Sequence, residues 1–259
     1  MKKNLEKWGG VSKFAQSKRN HNIHMRKLSL LSIVCLACFL SCSKEETKKL
    51  EVTPTNITVY SEGTTQLTTN VDDATFKSAD DFYATVDEVG LVTGNKVGET
   101  EIVVSSAHGT VKVPVTIMNK YSLYPDVDGL IGKSASDVTN VLGTSYTTST
   151  TSSGGTNYTY INPTSYAAGI VATIESGKCS AIGVLISTSN TSMLTKHLLE
   201  RYSVAGMQND YYFFLNHDKN VVIALNVYSA SYLMVIYMPY SSSKSSEAIL
   251  EIPEGLRVF

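Results

Sequence analysis

Few residues in this chain could carry covalent chemistry. Outside the N-terminal segment, the thiol of Cys179 and the rings of His197 and His217 are the candidates for a nucleophile and a base. A Cys–His pair must be in contact in space, and nothing in the spacing provides that. His197 follows Lys196 on a predicted helix, so we expect it to face solvent; we expect His217 in a turn and Cys179 to be a half-buried structural residue. The sequence therefore predicts no catalytic residue and no enzyme.

Metal and cofactor motifs are missing from the sequence beyond Cys42. Cys35 and Cys38 have CxxC spacing, but they lie in an N-terminal apolar stretch, and no Cys or His ligand spacing follows. Gly154-Gly155 lacks the lysine that a phosphate loop needs. Five acids in predicted turns could be proposed as calcium ligands: Asp72, Asp73, Asp80, Asp81 and Asp87. Their spacing does not match a calcium loop, so we interpret them as solvated turn acids and expect no metal and no cofactor.

Charge is distributed unevenly along the chain. There are 22 Lys+Arg and 23 Asp+Glu in 259 residues, and eight basic residues and one acid precede Cys42. The remaining 14 basic and 22 acidic residues give a net charge of about −8 from Cys42 onward. Because phosphate binding depends on clustered Lys and Arg, this argues against nucleic acid as a partner. The length allows one or two globular domains.

The N-terminal segment has the pattern of a secretory signal. Met25-Arg-Lys precedes an almost wholly apolar run, Leu28–Leu40, which at about 13 residues is short for a membrane span of about 20. Phe39-Leu-Ser41-Cys42 resembles the lipobox of bacterial lipoproteins, in which a peptidase cuts before a lipid-modified cysteine. The resemblance implies a signal peptide at residues 25–41 and a lipidated Cys42 carrying diacylglycerol and palmitate-type acyl chains. An uncleaved membrane anchor helix is the alternative.

Two further expectations concern the ends of this segment. Residues 1–24 are basic and polar and do not fit a signal, so we expect an upstream extension with Met25 as the initiator. Residues 42–49 form a tether, in which Ser43-Lys-Glu-Glu46 resembles the signal that sends some Gram-negative lipoproteins to the outer face of the outer membrane. The alternative interpretation is that Lys44, Glu45 and Glu46 only keep the tether solvated. The predicted location is the outer membrane, lipid-anchored and surface-exposed.

Short alternating runs indicate an all-β domain over residues 50–118. They are punctuated by Gly and Asp and resemble the bacterial immunoglobulin-like domain, group 2. The resemblance is carried by Val52-x-Pro54, Gly63-Thr-Thr-Gln-Leu67, Ala84-Thr-Val-Asp87-x-x-Gly90-x-Val92, Gly98-x-Thr-x-Ile102-x-Val104 and Val113-x-Val115-x-Ile117. The family usually has a core Trp before the Ala-x-Val-Asp strand, and Phe76 or Phe82 must fill that position here. Asp87 is expected to close the turn before Gly90, and the family's usual role as a spacer is the expected role of this domain.

Residues 121–240 have a different pattern, which contains most of the 15 tyrosines. Ser134 and Gly143 are the predicted cap and end of a helix with Val138, Val141 and Leu142 on its apolar face. Residues 144–157 are Ser/Thr/Gly-rich and predict a mobile loop. A second helix is predicted at 191–202, and six strands are predicted: 158–161, 169–174, 181–187, 211–215, 221–228 and 232–238.

This order, a helix and three strands twice, indicates an αβββ duplication. We predict a two-layer α+β domain with an antiparallel sheet and both helices on one face. Its opening, Gly129-Leu-Ile-Gly, is faintly similar to small envelope lipoproteins and β-lactamase-inhibitor-like modules. The tail, residues 241–259, has six apolar residues that predict docking on this domain: Ile249, Leu250, Ile252, Leu256, Val258 and Phe259.

The order of anchor, spacer and tyrosine-rich module predicts a cell-surface lipoprotein that presents a binding or adhesion module and performs no catalysis. Its partners are the membrane, through the lipid on Cys42, and an unidentified protein or glycan. One alternative is a structural or inhibitory subunit of an envelope protein complex. A third reading is an unrecognised hydrolase acting through Cys179 or His197.

Overall fold

The computed structural model describes residues 48–241, and from Lys49 onward these form one compact unit. The predicted extension 1–24, the signal peptide 25–41, Cys42, most of the tether and the tail beyond Ser241 lie outside the described residues. Within the described part, no helix has the length and apolarity needed to cross a membrane.

Nine short strands form the first part of the chain, and they confirm the predicted immunoglobulin-like (Ig-like) sandwich. They are β1 (Val52–Thr53), β2 (Ile57–Tyr60), β3 (Thr64–Gln66), β4 (Thr68–Thr69), β5 (Thr75–Ser78), β6 (Ala84–Val86), β7 (Leu91–Gly94), β8 (Gly98–Ser106) and β9 (Gly109–Met118). One sheet has the order β2-β9-β8-β5, with β2 and β9 parallel, and the other has the order β3-β7-β6. Their inward-facing residues form one buried apolar cluster that includes Leu67, Val92, Ile102 and Val113.

The two aromatic candidates for the core of this domain have different positions. Phe76 packs against the buried cluster. Phe82 instead contacts the rings of Tyr83 and His217, with ring centroids 5.1 and 4.9 Å away. Phe76 therefore fills the core position, and Phe82 belongs to the contact with the second half of the chain.

The turn between β6 and β7 depends on Asp87 and Gly90. The Asp87 Oδ1 atom accepts the backbone N–H of Val89 at 3.0 Å and of Leu91 at 2.8 Å, which confirms that Asp87 closes this turn. Gly90 has φ +83°, and a Cβ added there would lie 2.9 Å from Cζ of Phe76. Both backbone conformation and space therefore require glycine at this position.

Residues 121–240, called here the C-terminal region, contain one eight-stranded antiparallel sheet with the order β10-β11-β12-β13-β17-β16-β15-β14. Its strands are β10 (Thr147–Thr150), β11 (Thr156–Ile161), β12 (Ala167–Glu175), β13 (Lys178–Ser187), β14 (Ser203–Gln208), β15 (Tyr211–Leu215), β16 (Val221–Val227) and β17 (Tyr232–Pro239). Two 3₁₀ turns, Asp128–Leu130 and Thr188–Asn190, precede the two helices. The sheet is two four-stranded meanders that meet at β13 and β17.

Helix α1 (Ala135–Leu142) begins and ends where its sequence predicts. The Ser134 hydroxyl accepts the N–H of Asp137 at 3.3 Å, and the Asp137 carboxylate accepts the N–H of Ser134 at 3.1 Å. This reciprocal pair satisfies two N–H groups that the first turn leaves without an intrahelical partner. Gly143, with φ +90°, ends the helix.

The two helices follow the sequence prediction in part. Val138 is fully buried and Leu142 packs on the core, but Val141 is 46 % exposed and lies off the apolar face. Helix α2 (Thr191–Leu199) ends before the predicted residue 202. It buries Leu194 and Leu198, while Leu199 is 39 % exposed.

Each half of the C-terminal region has four strands, so the predicted αβββ repeat is corrected to αββββ. The added strands are β10, which falls in the predicted mobile loop 144–157, and β14. All four side chains of β10 are exposed, and β14 is mostly exposed with a register shift between Val204 and Gly206. Both are edge strands that contribute little to a core, so their sequences lack the alternation that reveals a half-buried strand.

The two faces of this sheet have different neighbours. Both helices contribute to the core on one face, here called the helix-side core, together with Ile170, Val184 and Tyr237. The opposite face, here called the helix-free face, has its own cluster: Val171, Ala181, Leu185, Val222, Ala224, Met234, Ile236 and Met238. The sheet is therefore apolar on both faces.

Candidate functional site

The thiol of Cys179 is buried and protonated. Cys179 lies on β13 with 1 % of its surface exposed, and its Sγ donates to the carbonyl of Ala181 at 3.7 Å. Burial raises the pKa of this thiol to about 12, against a small opposite effect of the Ala181 hydrogen bond. Because the thiolate is the reactive form, Cys179 cannot serve as a nucleophile near neutral pH.

A thiol-labelling experiment checks this conclusion. In a chain that starts at Ser43, Cys179 is the single cysteine. We expect a disulfide reagent such as DTNB to leave the native chain essentially unlabelled at pH 8 and to label it fully after unfolding in guanidinium. A Val89→Cys variant provides the control, because Val89 is 71 % exposed. Labelling of native Cys179 as fast as that of the control thiol would show that the pKa is not raised.

His197 is buried, so the expectation that it faces solvent is wrong. It is fully buried on α2, and its Nδ1 lies 3.0 Å from the carbonyl oxygen of Tyr121. A carbonyl oxygen only accepts hydrogen bonds, so Nδ1 carries the proton and Nε2 is unprotonated. Nε2 has no hydrogen-bond partner among residues 48–241. Burial lowers the pKa of His197 to about 4, and the nearby charge of Arg201 acts in the same direction. The segment after the Ig-like domain covers this side of α2, a long-range contact that helical spacing does not reveal.

His217 lies in the turn between β15 and β16, as predicted. Its Nε2 is 2.7 Å from Asp80 Oδ2 and its Nδ1 is 2.9 Å from Asp218 Oδ1. The hydrogen bonds of Cys179, His197 and His217 thus go to separate partners, and no catalytic pair is assembled from them. Among residues 48–241, no three His, Cys, Asp or Glu side chains are grouped so that they could hold a metal ion.

A buried ion pair fastens the connection between the two halves of the chain. Arg201 Nη1 lies 2.5 Å from Glu200 Oε1, and the two side chains are 6 % and 4 % exposed. The Glu200 carboxylate also accepts the backbone N–H groups of Lys120 and Tyr121, both at 3.0 Å. Arg201 Nε donates to Asp126 at 2.7 Å. The residues that follow the Ig-like domain are therefore bound directly to the end of α2.

Other contacts join the Ig-like domain itself to the C-terminal region. The N–H of Val97 donates to the carbonyl of Glu200 at 2.7 Å. The His217 ring stacks on Tyr83, with centroids 5.0 Å apart, next to its contact with Asp80. Hydrogen bonds and ring contacts at separate points hold this junction, which favours a fixed arrangement of the two halves.

A cleft of about 430 Å³ lies at the same junction and contains three lysines: Lys96, Lys120 and Lys196. Lys96 Nζ donates to the Leu199 carbonyl at the C-terminal end of α2, where a cation is favoured. Burial lowers the pKa of Lys96, and Glu62 opposes that shift. Lys120 and Lys196 lie over tyrosine rings, 6.0 and 5.3 Å from their centroids. These lysines are used within the junction, so we assign the cleft a structural role.

The nine tyrosines on or beside predicted strands fall into different environments in the structure. The sequence offers them together as packing residues or as a surface for protein or glycan: Tyr158, Tyr160, Tyr166, Tyr211, Tyr212, Tyr228, Tyr232, Tyr237 and Tyr240. Two are buried in the helix-side core, Tyr160 and Tyr237, and Tyr158 packs against that core. Three pack on the helix-free face: Tyr211, Tyr232 and Tyr240. Three are 38–53 % exposed: Tyr166, Tyr212 and Tyr228.

One exposed tyrosine belongs to an apolar surface, here called the edge patch, formed by Val204, Met207, Tyr212 and Val227. Their exposed fractions are 63 %, 64 %, 53 % and 66 %. Met207 lies opposite Tyr212 on the neighbouring strand, and Tyr212 lies opposite Leu225, which packs against the helix-side core. Met207 and Tyr212 are therefore on the helix side of the sheet. Grouped exposed apolar side chains of this kind are typical of interaction surfaces.

The strand directions give the position of the edge patch. The β15–β16 turn carries His217, which contacts the Ig-like domain. Because neighbouring strands are antiparallel, the β14–β15 turn lies at the other end of β15. Met207 and Tyr212 flank this turn, Asn209-Asp210, whose φ angles of +48° and +66° are those of a tight hairpin. The edge patch therefore includes the end of the sheet that points away from the Ig-like domain.

The backbone next to the edge patch is also open to a partner. Strand β14 pairs only with β15, so its outer edge has no strand beside it among residues 48–241. An open strand edge beside apolar side chains can bind an extended segment of another protein. Sequence reasoning missed this surface, because nothing in residues 203–208 marks them as a strand.

Comparisons with known proteins support the first half of the fold. Residues 46–117 match the family model of the bacterial Ig-like domain (group 2). No curated protein matches the sequence.

Three solved structures are similar to most of the chain at low identity. Domains 5–6 of the S-layer protein SbsC are 16 % identical, and the match covers 76 % of this chain and 86 % of that one at a TM-score of 0.24. Domains 1–6 of SbsC are 14 % identical over 75 % of this chain and 21 % of theirs, at 0.25. An intimin mutant of EHEC O157:H7 is 14 % identical over 73 % of this chain and 98 % of its own, at 0.24. TM-scores this low do not indicate a shared overall arrangement.

Proposed function

We propose that this protein is a non-catalytic surface lipoprotein of a Gram-negative bacterium. The lipid on Cys42 anchors it in the outer membrane, the Ig-like domain is a spacer, and the C-terminal region is an α+β module that binds a partner. The match of residues 46–117 to a bacterial Ig-like domain supports a role at the cell surface. The order of segments in the sequence supports the roles of anchor, spacer and module.

The position of the edge patch carries this proposal. Met207 and Tyr212 lie at the end of the sheet that points away from the Ig-like domain, and the contacts of Glu200 and His217 hold the two halves together. A spacer that is fixed to the module in this way would hold the patch away from the membrane. The other large apolar face of the sheet is buried and cannot serve the same purpose.

The chemistry of the edge patch favours a protein ligand over a glycan. Val204, Met207 and Val227 are aliphatic or thioether side chains, and Tyr212 is the one aromatic residue among them. Aromatic residues and Met are enriched where proteins bind proteins, and an open strand edge adds backbone hydrogen bonds. Adhesion to a protein on a host or neighbouring cell is therefore the specific form of the proposal.

A protein array and a glycan array probed with the chain from Ser43 to Phe259 test the module. We expect binding to one or more proteins, and we expect the double variant Met207→Glu/Tyr212→Ser to weaken it at least tenfold, because central Met and Tyr side chains contribute strongly at interfaces. Val89→Glu is the matched control, since Val89 is 71 % exposed but lies on the Ig-like domain. Equal loss in both variants, or binding that neither changes, contradicts a role for the edge patch.

A separate experiment tests the anchor. Globomycin blocks the peptidase that removes lipoprotein signal peptides, so a treated culture should accumulate a longer form of the chain. The N-terminal peptide of the mature protein should carry diacylglycerol on Cys42 when its mass is measured. An unchanged size on treatment together with an unmodified Cys42 would show that the lipoprotein assignment is wrong.

A further inference from the structure

The helix-free face is buried although no described element lies over it. Its eight apolar residues have exposed fractions between 0 % for Ala181 and 8 % for Met238. The residues packed against this cluster come from the strands of the sheet and from Tyr240. Both helices contribute to the cluster on the other face. An apolar sheet face must be covered by another layer, so the cover lies outside the described residues.

The sequence outside the described residues narrows the candidates for this cover. With cleavage before Cys42, residues 42–47 read Cys-Ser-Lys-Glu-Glu-Thr and offer almost no apolar surface. The C-terminal segment 242–259 contains six large apolar residues, named above as the tail residues. It is therefore the one segment of the mature chain beyond residues 48–241 that could bury a large apolar face.

The described chain ends beside the helix-free face. Strand β17 lies near the middle of the sheet and ends at Pro239. Tyr240 then packs on the helix-free face, while its N–H donates to the Asn220 carbonyl at 2.7 Å. The 18 residues from 242 to 259 can span about 60 Å when extended, and a ten-residue strand such as β13 is about 33 Å long. The segment is thus long enough to cross the face and return.

From these observations we propose that residues 242–259 dock on the helix-free face and complete the core of the C-terminal region. Ile249, Ile252 and Leu256 supply apolar contacts, while Glu247 and Glu251 remain in solvent. This inference rests on the proposed function in one respect, because cleavage before Cys42 is what removes the apolar run Leu28–Leu40 as another cover. It does not depend on the edge patch, which lies on the opposite face of the sheet. It also means that the helix-free face is not a ligand site.

Photo-crosslinking of the intact chain from Ser43 to Phe259 tests the position of the segment. A benzophenone amino acid replaces Ile252 in one variant and Leu256 in another. Benzophenone reacts readily with methionine, and Met234 and Met238 are on the helix-free face. We expect adducts to these methionines within one chain. The same probe at position 89, on the Ig-like domain, should give no such adduct.

Truncation after Ser241 provides a second readout. We expect the truncated chain to bind the dye ANS several-fold more strongly than the intact chain does. A synthetic peptide of residues 242–259 should bind the truncated chain saturably and reverse that increase. Full-length variants distinguish exposure from misfolding: Ile249→Asp/Ile252→Asp should raise ANS binding, and Glu247→Gln/Glu251→Gln should not.

Three outcomes would overturn the proposal. Adducts between two chains would show that a second copy covers the face. Adducts to the helix side or to the Ig-like domain would place the segment elsewhere. Unchanged ANS binding in Ile249→Asp/Ile252→Asp, together with no adduct to Met234 or Met238, would show that the segment is not needed as a cover.

Discussion

Replacing Arg201 with methionine is expected to reduce the free energy of unfolding by about 3 to 5 kcal/mol, because a buried carboxylate then loses its charged partner. Glu200 and Arg201 have side-chain exposures of 4 % and 6 %. Burial alone would lower the pKa of Arg201, but Asp126 and Glu200 together raise it, so the charged form is favoured. Asp126 makes the larger contribution to this raised pKa, but its side chain is 59 % exposed, so solvent screens its share of the stability. Urea unfolding at pH 7 measures the loss.

A surface pair on the Ig-like domain is the matched control. Lys112 and Glu101 also have a nitrogen and an oxygen 2.5 Å apart, but their side chains are 65 % and 35 % exposed. Lys112→Met should therefore change the free energy of unfolding by less than about 1 kcal/mol. Similar losses in Arg201→Met and Lys112→Met would mean that burial of the Glu200–Arg201 pair does not determine its contribution.

Acidification from pH 6.5 to pH 4 is expected to reduce stability through His197 by about 3 kcal/mol, since one pKa unit corresponds to about 1.4 kcal/mol. Burial lowers the pKa of His197 from 6.5 to about 4 in the folded chain. The unfolded chain therefore takes up a proton first as the pH falls. The stability from neutral His197 is fully present above pH 6.5 and is lost progressively down to about pH 4.

Two histidine variants separate this effect from other titrations. Urea unfolding at several pH values between 4 and 7.5 should give a shallower pH dependence in His197→Gln than in the parent chain. His217→Gln should retain the part of the pH dependence that comes from His197. Asp128 acts in the opposite direction, because burial raises the pKa of its carboxyl group and the folded chain then gains relative stability on acidification. An identical pH dependence in His197→Gln and the parent would contradict a buried neutral His197.

The Ig-like domain was the part of the fold most open to prediction. Its strands are short and half-buried, so alternate residues such as Ile102 and Val104 reveal the inward face. Its turns depend on residues close together in the sequence. The Asp87 side chain accepts the N–H of Leu91 four residues on, and Gly90 between them has a positive φ. Alternation and turn residues are local patterns, so they can be recognised within a short stretch of sequence.

The C-terminal region shows what local pattern cannot supply. Tyr212 and Tyr237 both lie on strands beside apolar residues, yet one is 53 % exposed and the other is fully buried. The difference depends on strand order, because Tyr237 is on β17 inside the sheet and Tyr212 is on β15, next to the edge strand β14. The edge patch and the burial of His197 both result from pairings between residues far apart in the chain.

Protease digestion of intact cells tests the central claim, that the chain is a lipid-anchored protein displayed on the cell surface. Proteinase K added to whole cells should remove the native chain from the membrane fraction, while a periplasmic marker protein stays intact. The Cys42→Ser variant should be absent from the membrane fraction before any protease is added. A native chain that remains intact until the cells are lysed, or a Cys42→Ser chain that stays in the membrane, would contradict the account.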